Sequence, residues 1–216
     1  MDTLGKNLSL GIVMQLVTGD LATMEAQSGK EVENGSFKLL DILHHFSSGV
    51  KALFTELCYV GTDELRQACG GAGFLLSSGI ADWWAEQGPF PTYEGVNVIM
   101  YQQSSRMLLK QAAKIAQNKA PHEFFAYLGK TRELLSTKSA AKTVAEFLEP
   151  DHLQTALATR AAQLVMKVYH QLTESKAPSK TKQNELFAIE VNKMTRVHLI
   201  YIMYEHARAN IEAKNI

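Results

Sequence analysis

The sequence predicts an all-α protein, an antiparallel helical bundle, and three observations carry that reading. Apolar residues recur at steps of three and four along most of the chain. No run alternates apolar and polar residues in the way a half-buried strand requires. The strongest helix breakers are concentrated in one place: residues 70 to 95 hold six of the fourteen glycines, two of the five prolines and both tryptophans. Long helices with one irregular interruption are the expectation.

The first helix is expected from Leu4 to Ala26, with glycines at 5, 11 and 19 that favour close helix packing or local irregularity. "SGKEVENGS" reads as a polar turn. The second helix starts near Ser36 and places Leu40, Leu43, Phe46, Val50, Leu53, Leu57 and Val60 on one stripe, continuing to Ala68. Gly70-Gly71 ends it. A helix from Gly95 to Asn118 follows, with Tyr101, Leu108, Ala112 and Ile115 on one face, and Pro121 beyond it. After a short segment, "HEFFAYLGKTRELL", and a lysine-containing connector, "STKSAAKT", comes the most regular pattern in the chain. Leu153, Leu157, Ala161, Leu164, Val168 and Leu172 line one face, behind Pro150 and Asp151 at the start. "KAPSKTKQ" reads as a solvated linker, and a last helix from Glu185 to Lys214 carries Phe187, Val191, Met194, Tyr201 and Tyr204.

Composition removes several function classes. With 22 basic and 22 acidic residues there is no electrostatic case for nucleic acid or an anionic membrane surface. The longest apolar stretch, Leu8 to Val17, is far short of the roughly 20 residues a membrane span needs. Cys58 and Cys69 cannot form a cysteine metal site, and on one helix they would stand roughly 16 Å apart, beyond disulfide reach. His44-His45 lacks a third ligand at metal spacing, so no metal site is expected. The carboxyl-terminal "KNI" is not an S-K-L type address.

Chemistry points to the interruption. Pro89 and Pro91 force extended chain before "TYEG". Thr92 is placed to cap the next helix, which would put Glu94 in the first turn, where exposed amides favour a carboxylate. Gly95 removes a side chain beside that carboxylate, so a reacting group could come close. A general base and a simple helix-dipole partner are both compatible with this placement. Trp83 and Trp84 are expected to anchor the loop in the core, and Cys69 to pack as a small apolar residue. Arg106 reads as a solvated helix-face residue.

Taken together, "LRQACGGAGFLLSSGI" and, some twenty residues on, "PTYEGVNVIMYQQSSRMLLK" closely resemble the carboxyl-terminal helical region of the flavin-dependent acyl-CoA oxidases. That family carries R-x-x-C-G-G-H-G-Y, then S-S-G, then [FY]-E-G-[DE]-N and a helix ending R-x-L-x-K. Arg66, Cys69, Gly70, Gly71, Gly73, Ser77, Ser78, Gly79, Tyr93, Glu94, Gly95, Asn97, Arg106 and Lys110 fall in register. The resemblance implies a fold of the acyl-CoA oxidase/dehydrogenase carboxyl-terminal type. It also implies the oxidation of a fatty acyl-CoA to the trans-2-enoyl-CoA with FAD and O₂, yielding hydrogen peroxide.

By the same resemblance Glu94 is the catalytic base, and Tyr93 and Gly95 meet the substrate. Arg66, Gln67, Gly70, Gly71, Gly73 and Asn97 are implied to meet FAD, which the family shares across a homodimer, and a peroxisomal location is implied as well. Residues 1 to 120 would form the flavin-site bundle and 121 to 216 part of a second helical domain. The chain departs from the pattern at Ala72, Phe74, Val96 and Val98. It lacks the family's amino-terminal helical and β-rich domains, so on length it reads as an interior piece. A non-catalytic helical scaffold and an acyl-CoA dehydrogenase are the alternative readings.

Overall fold

The computed structural model describes residues 3–214, apart from the side chains of residues 3–9, 16, 180 and 214. The terminal address weighed above therefore lies partly outside the described residues. The described structure is helical throughout, and the chain divides into two compact units between Met100 and Tyr101.

The first unit is built on a pair of 31-residue helices, α1 (Thr3–Glu33) and α2 (Lys38–Ala68), packed against each other. α1 does not stop at Ala26. "SGKEVE" continues it to Glu33, because Lys30, Glu31 and Glu33 are good helix formers. The turn shrinks to residues 34–37, with Gly35 at φ +76°. Glu31 Oε2 then accepts from Ser36 Oγ at 3.2 Å and from Leu39 N–H at 3.2 Å. That carboxylate satisfies a first-turn amide of α2, whose N-cap Phe37 has no capping side chain. Gly11 and Gly19 have nothing within 4 Å of where a Cβ would stand, so they mark no close packing. The surroundings of Gly5 lie outside the described residues.

Val17 and Met24 of α1 and Ile42, Phe46, Val50, Ala52 and Leu53 of α2 are buried. Leu40 and Val60, expected on that stripe, are exposed, while His45, Ser48, Gly49, Gly61 and Thr62 are buried. The reason is that α2 meets α1, α3 (Ile80–Gln87) and the 3₁₀ turn Gly70–Gly73, so its burial spreads over more than one face. α2 ends at Ala68 and Gly70 takes φ +58°, as the Gly-Gly pair predicts. A second 3₁₀ turn, Leu76–Ser78, precedes α3.

α4 (Asn97–Ala116) crosses from one unit to the other, starting two residues later and ending two residues earlier than expected. The second unit continues through a 3₁₀ turn at Glu123–Phe125, then α5 (Ala126–Gly129), α6 (Thr131–Ser136) and α7 (Val144–Phe147). α8 (Pro150–Glu174) packs on α10 (Ala188–Lys214). Ala161, Leu164 and Val168 of the expected stripe are buried, with Leu153, Leu157 and Leu172 half-buried. Asp151 in the first turn of α8 pairs with Arg208 of α10 at 2.6 Å. Phe125 and Leu128 are fully buried, Phe125 stacks on His198 of α10, and Tyr127 Oη lies 2.7 Å from His198 Nδ1.

"KAPSKTKQ" is not a free linker. Ser179–Thr181 form a short helix, α9, that runs into a π turn at Lys182–Leu186. Lys182 Nζ donates to the Leu172 carbonyl near the end of α8 at 2.9 Å, and Gln183 Nε2 donates to Ser105 Oγ at 2.9 Å. These contacts engage two of the polar side chains that made the segment read as solvated, while Lys176 and Ser179 stay exposed. Among the described residues no helix is long and apolar enough to cross a membrane, and no group of His, Cys, Asp or Glu could hold a metal.

Candidate active site

The segment before α4 differs from the helix start that the sequence suggests. Thr92 does not cap: its hydroxyl donates to the Pro89 carbonyl at 2.7 Å. The chain then folds back, with Asn97 N–H bonding to the Pro91 carbonyl at 2.9 Å. Glu94 sits in this turn at φ +58° and Gly95 at φ +105°. Glu94 is thus three residues ahead of α4, in the left-handed region that costs a non-glycine residue about 1–2 kcal/mol. Gly95 is required by its backbone conformation. Its φ disfavours any other residue, and a Cβ there would also push the flexible Met100 side chain, whose Sδ would stand 2.8 Å away. Both Tyr93 and Glu94 are exposed, and the Tyr93 ring meets Phe90 edge to face at 5.4 Å.

Beneath this turn lies Lys51 of α2. Its Nζ donates to the Gly95 carbonyl at 2.7 Å and to Asn97 Oδ1 at 3.0 Å. Burial holds the Lys51 pKa below the ordinary lysine value, and the nearby Glu94 charge partly restores it. Asn97 Nδ2 donates to the Ala52 carbonyl at 2.9 Å and to Thr55 Oγ1 at 3.0 Å. A donor-only ammonium on one side and an acceptor-only carbonyl on the other fix which way this amide points. The Asn97 side chain is therefore anchored to α2.

The glycine segment forms a second cluster, some 25 residues earlier in the chain. Arg66 forks onto Asp63 Oδ1 through Nε at 3.0 Å and Nη2 at 2.6 Å, while Gln67 Nε2 donates to Asp63 Oδ2 at 2.6 Å. The Arg66 hydrogen bonds hold the Asp63 carboxyl below its usual range. Arg66 also lies over Trp84, 4.7 Å from the ring centroid, and Trp84 stacks on Tyr59 at 5.9 Å. Trp84 Nε1 is buried and finds no acceptor among the described residues. Arg66, Gly73, Phe74, Leu76, Ala81, Trp84 and Ala85 line an open hollow of about 500 Å³. Gly73 is buried and a Cβ on it would overlap the Arg66 carbonyl. Gly70 and Gly71, by contrast, have open space where a side chain would be.

The acyl-CoA oxidase C-alpha1 domain family matches residues 3–109. Peroxisomal acyl-coenzyme A oxidase 1 of Arabidopsis thaliana is 34% identical over 130 residues, 60% of this chain and 20% of that protein. The chain spans about a fifth of the length of such curated relatives. Among solved structures, Arabidopsis thaliana acyl-CoA oxidase 1 superposes with a TM-score of 0.87 at 26% identity, covering 95% of this chain and 31% of that one. The chain is a carboxyl-terminal helical region of the acyl-CoA oxidase family. A Caenorhabditis elegans acyl-CoA oxidase-1 solved with FAD and ATP shares the fold with a TM-score of 0.80 at 23% identity, over 92% of this chain and 30% of that one.

Within this acyl-CoA oxidase region the two motifs form separate clusters. Arg66, Gly73 and Trp84 meet around the hollow and Gln67 shares Asp63 with Arg66, while Tyr93, Glu94, Gly95 and Asn97 belong to the turn held by Lys51. Only half of the tryptophan expectation holds, since Trp84 is packed but Trp83 is 48% exposed. Cys69 is exposed and so is not a packing residue, because it caps α2 at the surface. Of the two histidines, His45 is buried and His44 exposed. Sequence reasoning missed Lys51, Thr55 and Asp63. One signal was present for the first: Lys51 stands between Val50 and Ala52-Leu53, a charge inside a buried run.

Proposed function

We propose that this chain supplies the catalytic base and part of the flavin site of an acyl-CoA oxidase. The observation that carries the reading is Glu94 itself. An exposed carboxylate held in a left-handed turn, beside a glycine whose own φ disfavours any other residue, is a strained arrangement of the kind that collects at reacting centres. In this reading Glu94 takes the α-proton of a fatty acyl-CoA. Tyr93 and the bare backbone of Gly95 border the thioester. Lys51 places a positive charge near Glu94 without consuming its carboxylate in a hydrogen bond.

The glycine cluster fits an edge of FAD. Gly70 and Gly71 leave the backbone open to a ligand, and the hollow offers the apolar Phe74 and Leu76, the Arg66 cation and the unpaired Trp84 N–H. Arg66, Gln67, Gly70, Gly71 and Gly73 would hold the cofactor. When bound, FAD supplies acceptance of the β-hydride and return of the electrons to O₂ as peroxide. Phe74 and Leu76, 77% and 71% exposed beside those glycines, support a surface that a second subunit covers, in keeping with a homodimer sharing FAD. The peroxisomal names of the relatives support the same location here.

The test places this chain in an oxidase in exchange for the matching segment. Peroxide release with a fatty acyl-CoA is expected, and Glu94→Gln should abolish it while flavin absorbance stays. Turnover surviving in Glu94→Gln would remove Glu94 from the role. Flavin bound without turnover in the unmutated chimera would favour the non-catalytic scaffold reading instead.

A further inference from the structure

The left-handed turn at Glu94 and Gly95 needs an external constraint, because Glu94 gains by relaxing to an ordinary backbone conformation. α2 offers one. Over a single helical turn it presents the Lys51 ammonium, the Ala52 carbonyl and the Thr55 hydroxyl, and all three bond to Asn97. Lys51 alone reaches past Asn97 to the Gly95 carbonyl, at 2.7 Å. We propose that Lys51 is a positioning residue, a charged latch that ties the Gly95 carbonyl to the Asn97 amide and thereby sets the geometry of the Glu94 turn. Its relevance to catalysis rests on the reading of Glu94 as the base; the latch itself does not.

Three features make the assignment physical. Both acceptors sit within hydrogen-bond distance of one ammonium, and charge-assisted bonds of this kind are roughly twice as strong as neutral ones. Thr55 follows Lys51 by four residues, so the helix repeat places its hydroxyl on the same face as the ammonium. Glu94 and Lys51 attract each other, so the latch also draws the carboxylate side of the turn toward α2. Lys51 does not touch the reacting atoms; it acts through the backbone that carries them.

The experiment uses the 216-residue chain and reads hydrogen exchange of the Tyr93–Met100 segment, whose Asn97 amide bonds to Pro91. Lys51→Met keeps an unbranched side chain one atom shorter and removes the charge. Exchange of the Asn97 amide should rise about tenfold or more, the loss expected for a charge-assisted hydrogen bond. Amides around Val17 and Met24 in α1 should not change, and Lys51→Arg should restore most of the protection. Unchanged exchange at Asn97 in Lys51→Met overturns the latch, as does a rise shared equally by α1 or a failure of arginine to restore protection. In the chimeric oxidase Lys51→Met should lower kcat while KM stays nearly constant. If Glu94→Gln there leaves turnover intact while the exchange result holds, the base reading fails and the latch stands.

Discussion

Arg66 is held by Asp63 and Trp84 at once, its guanidinium forked on one Asp63 carboxylate oxygen and lying 4.7 Å over the Trp84 ring. The two partners restrain different freedoms: the carboxylate fixes the fork in its plane and the indole fixes the height of that plane. This relationship ties the end of α2 to α3 and forms one wall of the hollow.

It has a pH signature. The folded Asp63 carboxyl is held below its ordinary value of 3.8, chiefly by Arg66. A depressed carboxylate stabilises the fold above its unfolded pKa, and that contribution is lost as pH falls through the folded value. Melting temperatures of the native chain and of Asp63→Asn should therefore differ most near neutral pH and converge in acid below the folded pKa. Parallel curves across that range would show that the ion pair contributes nothing.

The two neighbouring glycines should respond oppositely. Gly73→Ala drives a Cβ into the Arg66 carbonyl, and overpacking against backbone costs about 1–3 kcal/mol. Gly71→Ala meets nothing and should be neutral or slightly stabilising, since alanine reduces the freedom of the unfolded chain. Urea denaturation of both variants separates them; equal losses would contradict the geometry of the turn.

The cysteines should react at different rates. Cys69 is exposed at the end of α2. Cys58 is half-buried 3.8 Å from Met14 Sδ, and burial pushes its thiol pKa up. A thiol reagent should label one site quickly and the other slowly, and Cys69→Ser should delete the fast phase.

In the second unit, Tyr127→Phe removes the buried hydrogen bond to His198 Nδ1 while leaving the stacked rings in place. The expected cost is about 1–3 kcal/mol in urea denaturation. Burial raises the Tyr127 pKa well above that of free tyrosine, so its phenol should not ionise below the pH at which the chain unfolds.

Much of this was legible in the sequence. The spacing of Ala161, Leu164 and Val168 located the buried face of α8, and Gly70-Gly71 marked the end of α2, because helix periodicity and glycine backbone freedom are local properties. The paired motifs around Gly70 and Glu94 located the candidate site. Other features depended on neighbours. The turn after α1 is tight because Glu31 finds Ser36 and the start of α2, and "KAPSKTKQ" folds because Lys182 and Gln183 find Leu172 and Ser105.

The Glu94 turn divides the two kinds of information most clearly. Sequence alone determined that a glutamate and a glycine stand together after two prolines, before a helix. Only the tertiary structure decided that this glutamate precedes the helix in a left-handed turn, and that Asn97 turns inward. The reason is that Lys51, Ala52 and Thr55, more than 40 residues earlier, supply the hydrogen bonds that offset the backbone strain. No local pattern around Glu94 contains them.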